Sequence, residues 1–161
     1  MLTAIGRYSG TVQVESDDVR IVASINQRPI ASRAFGVRVM LLSSDAESAA
    51  ARSLTGFGSQ VECEADFFTA MSNIIDDPLG YDLFVMDCDG FGGMVAGERA
   101  VATLIASDAR MRVILISAEF DAPAFPMGRR TAVCLPSPVS HESLRFGFDH
   151  VLRDRPVMHL S

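Results

Sequence analysis

From Val37 onward the chain alternates short apolar runs with longer stretches in which apolar residues recur every three or four positions. The runs are continuous rather than alternating, the habit of strands buried on both faces of a parallel sheet. They predict strands at Val37–Leu42, Gln60–Glu64, Asp82–Asp87, Val113–Ser117 and Ala132–Leu135. The stretches between them predict helices at Ala46–Thr55, Asp66–Ile75, Val95–Ala106 and His141–Arg153. The last is the clearest: Leu144, Phe148, Val151 and Leu152 form one apolar stripe, Ser140 offers an N-cap, and Glu142 places a favourable charge in the first turn. A further helical stretch at Ala122–Gly128 is broken by Pro123 and Pro126, so a short helix or an irregular loop is expected there. Five βα units in succession argue for an α/β domain over residues 37–161, a five-stranded parallel sheet flanked by helices.

Residues 1–36 follow a different rhythm. Thr11–Glu15 and Val19–Ile25 alternate apolar and polar positions around the acidic turn Ser16-Asp17-Asp18, which predicts an amphipathic β-hairpin in an N-terminal extension. It reads either as a mobile arm or as a hairpin that extends a sheet edge or exchanges with a second subunit to give a homodimer.

Bulk properties narrow the function classes. A chain of 161 residues is long enough for one self-sufficient core. The apolar runs are far shorter than the roughly 20 residues a spanning helix needs, and the start has no secretory-signal pattern, so a cytoplasmic location without membrane association is expected. Net charge is −6 and the arginines are scattered, which argues against a nucleic-acid surface. Cys63, Cys88 and Cys134 lie in apolar, strand-like contexts without metal spacing and read as buried free thiols. His141, His150 and His159 pair with no cysteine or carboxylate at metal spacing and are expected at the surface. All 14 basic side chains are arginines, which excludes any mechanism that needs a lysine ammonium.

Candidate chemistry gathers where strands end, because open α/β sheets bind ligands beyond the carboxyl ends of their strands. "YDLFVMDCDG" ends the third strand of the series at Asp87, "RVILISAEF" ends the fourth at Ser117, and "TAVCLPSPVS" ends the fifth before Ser137-Pro138. With "VRVMLLSSDAES" at the first, the order and spacing resemble the receiver domain of two-component response regulators, over about residues 37–154. The resemblance implies a flavodoxin-like fold, with Asp87 as phosphoacceptor and Ser117 as the hydroxyl that contacts the phosphoryl group. It also implies Mg²⁺ held by an acidic pair, by the acceptor and by a main-chain carbonyl at Asp89. Here the acidic pair falls on Ser43 and Ser44, with Asp45 one place later. Asp45 is read as the N-cap of the first helix or, after a register shift, as a metal ligand, so only weak Mg²⁺ binding is expected. The lysine position falls on Ser137, and Arg129 or Arg130 is no equivalent point charge. The aromatic switch position falls on Cys134. The pattern is that of an atypical or pseudo-receiver.

What the resemblance implies is signal transduction in a phosphorelay by protein docking, not an enzyme activity. The expected partner is a histidine kinase, a phosphotransfer protein or a downstream regulator. The expected docking surface is the face of the last two helices, with Phe120, Phe125 and Met127 as apolar anchors. No output domain is expected, hence no direct transcriptional activity. Two other readings attach to the same segment. "FVMDCDGF" also resembles the opening motif of haloacid-dehalogenase-type phosphatases, with Asp87 as nucleophile, Asp89 as acid/base and Ser117 as the second-motif hydroxyl, although that family uses a lysine. Asp87, Asp89 and Glu98 also have the spacing of a calcium loop, but a strand precedes them where a helix should.

Overall fold

The computed structural model describes the backbone of residues 11–15 and 18–21, and residues 36–128 and 130–153 in full. The chain divides into two compact units, one of them spanning Phe35–Pro156. In the other, β1 (Thr11–Glu15) pairs antiparallel with β2 (Asp18–Ile21), with a register irregularity between Gln13 and Glu15. The predicted hairpin is therefore present in the backbone; Ser16, Asp17 and residues 22–25 of its predicted extent lie outside the described residues.

The larger unit is the predicted α/β fold. Its strands are β3 (Arg38–Leu42), β4 (Gln60–Glu64), β5 (Leu83–Asp87), β6 (Arg112–Ser117) and β7 (Val133–Pro136), paired in parallel in the flavodoxin-like order β4-β3-β5-β6-β7. Four helices connect or follow them: α1 (Ala49–Gly56), α2 (Phe67–Asp76), α3 (Met94–Ala106) and α4 (His141–Val151).

Chain direction decides which face each helix covers. From β4 to β5, β5 to β6 and β6 to β7 the chain steps one way across the sheet, and from β3 to β4 it steps back. Right-handed crossovers then put α2 and α3 on one face and α1 on the other. Side chains follow this division. Met40, Leu42, Phe84, Met86, Val113 and Leu115 pack in one cluster with Ala70, Met71 and Ile74 of α2 and Ala96, Ala100 and Leu104 of α3. The intervening Leu41, Val85, Ile114 and Leu135 are fully buried and point the other way, towards α1 and α4, which meet through Phe57 and Phe148 with ring centroids 5.1 Å apart. At Gly147 a Cβ would lie 3.3–3.6 Å from Leu135, Val133 and Ile114, so α4 sits directly on β6 and β7.

Two predicted boundaries move for local reasons. The first helix begins at Ala49 rather than Ala46, because its N-cap is Ser48, which accepts from Ala51 N at 3.2 Å. Asp45 is not that cap. Its Oδ1 accepts from Glu47 N at 2.9 Å in a turn that precedes the helix. No helix forms over Ala122–Gly128. Between Pro123 and Pro126 the chain runs extended, and Ala124 exchanges both backbone hydrogen bonds with Cys134, at 2.8 and 3.0 Å, in an antiparallel bridge. That bridge occupies the free edge of β7. No helix among the described residues is long and apolar enough to cross a membrane.

Candidate functional site

The sheet reverses its winding between β3 and β5, so the carboxyl ends of these strands form the switch point where such folds bind ligands. Asp87 ends β5 there, half-buried on the α1 and α4 side. With Ser48, Ile116, Ser137 and Pro138 it lines a cavity of about 170 Å³. Burial pushes the Asp87 carboxyl above the ordinary carboxylate range, and the neighbouring Asp89 charge adds to this, against a backbone hydrogen bond from Asp89 that favours the anion.

After β5 a 3-10 turn, Cys88–Phe91, swings the Asp89 carboxylate across to the end of β6. Ser117 Oγ donates to Asp89 Oδ1 at 2.6 Å, and Ala118 N donates to Asp89 Oδ2 at 2.9 Å. Both carboxylate oxygens are thereby engaged, in the short range typical of charge-assisted bonds. Ser117 is fully buried, and its Oγ also accepts from Glu119 N at 3.1 Å. Glu119 extends the network, since its Oε2 accepts from Met94 N at 3.0 Å and caps α3, whose N-cap residue Gly93 has no side chain to do so.

The structure therefore unites Asp87 with Ser137 in one cavity, and Ser117 with the side chain of Asp89, for which the resemblance needed only the main chain. The roles of Asp89 and Glu119 escaped sequence reasoning. The Asp-Gly turn after a strand end hints at the first; the uncapped start of α3 is the only signal for the second.

The metal expectation meets a poor set of ligands. Ser43 is buried, and its Oγ makes local contacts with the Asp45 main chain. Ser44 Oγ faces Gly90, 3.8 Å from where a Cβ there would lie. Among the described residues no three or more His, Cys, Asp and Glu side chains are placed to hold a metal ion, so Asp45, Asp87, Asp89 and Glu98 form no such group. These residues do not fit a Mg²⁺ or Ca²⁺ ion bound mainly by side-chain carboxylates. At the lysine position, Ser137 donates its N–H to Ser117 O at 3.1 Å. Arg130 lies elsewhere, pairing with Asp108 at 3.4 Å ahead of β6, and Arg129 falls outside the described residues.

The remaining candidates are structural. Cys88 is buried and its thiol is pushed up to about 12 by desolvation; burial also raises Cys63 and Cys134, both half-buried. None is poised as a thiolate. His141 Nδ1 meets Ser53 Oγ at 2.9 Å, tying α4 to α1. His150, expected at the surface, is half-buried: Nε2 meets Pro126 O at 2.7 Å, and its ring packs on Phe125 at 5.7 Å. Of the three expected docking anchors, Phe120 packs against the core, Phe125 is 39% exposed, and Met127 is 80% exposed. No family model matches the chain, and no curated protein matches it.

Proposed function

We propose that this protein is a receiver-like signalling domain that works by docking to a protein of a phosphorelay, a histidine kinase, phosphotransfer protein or downstream regulator, without needing a phosphoryl group on Asp87. The carrying observation is the Asp89 carboxylate on Ser117 Oγ and Ala118 N. A phosphoryl group on Asp87 would bring further negative charge beside Asp89, with no lysine in the chain to offset it and, among the described residues, no group of three or more His, Cys, Asp or Glu side chains placed to hold a metal ion. The Asp89 carboxylate instead ties the end of β6 to the turn after β5, and Glu119, bonded to Ser117 Oγ through its N–H, caps the start of α3.

Two measurements test this reading. Incubation with acetyl phosphate and Mg²⁺ should leave the intact mass unchanged; a gain of one phosphoryl group that disappears in Asp87→Asn would overturn phosphate independence. For docking, Met127→Glu should lose the protein captured by the wild-type chain in a cross-linking pull-down, and undiminished capture would count against this surface. Hydrolysis of an aryl phosphate that needs Mg²⁺ and Asp87 would favour the phosphatase reading instead.

A further inference from the structure

The β6 to β7 connection steps across the sheet in the same direction as the β5 to β6 connection, so a helix in it would lie beside α3. Pro123 and Pro126 prevent that helix, and the connection instead holds the β7 edge through Ala124. The flank of α3 stays open. A groove of about 370 Å³ runs along it, floored by Leu104, Met111 and Val113 and walled by Val101 and Ile105. Ile105 is 41% exposed although its neighbours on the groove floor are buried.

The groove also carries cations: Arg110 and Arg130 are among the residues that line it. Arg130 shares its charge with Asp108 in an exposed pair, which solvent weakens. Arg110 has no carboxylate partner among the described residues. On a chain of net charge −6, an unshared guanidinium beside an apolar groove selects for an anionic head on an apolar body. The volume lies at the low end of the roughly 300–1,000 Å³ of small-molecule sites.

We propose that this groove binds a small amphiphilic carboxylate of medium-chain acyl type, its hydrocarbon on Leu104, Ile105 and Val113 and its carboxylate at Arg110. The site is separate from the strand-end carboxylates and does not depend on the reading given for them. Arg110 and Ile105 are exposed, so their replacement leaves the core intact, which circular dichroism checks.

The test is a titration of the full chain with decanoate below its micellar range, followed by amide chemical shifts, with decanol as the uncharged comparison. Saturable shifts centred on Leu104, Ile105, Met111 and Val113 are expected. Arg110→Ala should weaken decanoate roughly tenfold, the scale of one charge-assisted hydrogen bond, while leaving decanol unchanged. Ile105→Glu should abolish both. Absence of saturable shifts in the wild-type chain, shifts spread over the surface, equal loss of both ligands in Arg110→Ala, or full binding by Ile105→Glu would each overturn the site.

Discussion

Asp87 and Asp89 stand two residues apart and carry the same charge, yet their surroundings set them opposite tasks. Asp87 keeps a carboxylate in a half-buried cavity beside another anion, so its pKa is raised, by burial first and by Asp89 second. A raised carboxyl binds more protons folded than unfolded. Its stabilising contribution is present in full below the unfolded value of about 3.9 and is lost as pH rises through the raised folded value. Asp87→Asn should therefore raise Tm at pH 7, by roughly 1–3 °C, with the gain vanishing in acid below the unfolded value. Asp89 is different because a buried hydroxyl and a backbone N–H depend on it. Asp89→Ala should cost about 1–3 kcal/mol in urea unfolding, despite the relief of repulsion, because those donors lose their acceptor. Equal signs for the two substitutions would contradict this division. The position of Asp87 was legible because the apolar run Leu83–Met86 marks the strand that ends there. The partner of Asp89 was not, since Ser117 lies 28 residues away and is brought alongside only by the β5 and β6 register.

Helix ends show how far local sequence reaches. Ser140 caps α4 as its position foretells, accepting from Ser143 N at 3.0 Å, and Asp66 caps α2 by accepting from Thr69 N at 2.8 Å. Both caps lie within three residues of the amides they satisfy, a range local pattern can reach, although it marks Ser140 as a cap and reads Asp66 as the first residue of its helix. At α3 the device is long-range: Gly93, at φ +82°, turns the chain into the helix, and Glu119 from beyond β6 supplies the acceptor. A Cβ at Gly93 would collide with the Glu119 carboxylate as well as strain the left-handed backbone. Glu119→Ala should destabilise by about 1 kcal/mol, the size of an ordinary cap. Gly93→Ala should cost more than Glu119→Ala, and urea unfolding of both variants gives the comparison. A neutral Glu119→Ala would mean that water serves Met94 N equally well. The proline-broken segment teaches the complement: Pro123 and Pro126 told against a helix, but the pairing of Ala124 with Cys134 depends on a strand edge that no local pattern reveals.

The fold class was legible because five buried strands separated by helical stretches admit few arrangements. Their spatial order is a property of the whole molecule, set by which faces the crossovers cover and confirmed by the split of the core between α2 with α3 and α1 with α4. The larger unit, Phe35–Pro156, holds the whole five-stranded sheet and the four helices. Among the described residues its largest buried side chains include Phe84, Phe148, Met40 and Leu54. Within that unit, buried Arg112 donates from Nη1 to Val151 O at 3.1 Å at the last turn of α4 and complements the negative end of that helix. A chain of residues 35–156, a compact unit with its own sheet and helices, should fold alone with one cooperative urea transition. Its denaturant slope should be that of a domain of its length, since the slope follows the surface exposed on unfolding. If the hairpin exchanges between two copies, the full chain elutes as a dimer in size-exclusion chromatography while the shortened one elutes as a monomer. A shortened chain that lacks a cooperative transition would show that residues 1–34 supply part of the fold, and that the sheet and its four helices do not close their own core.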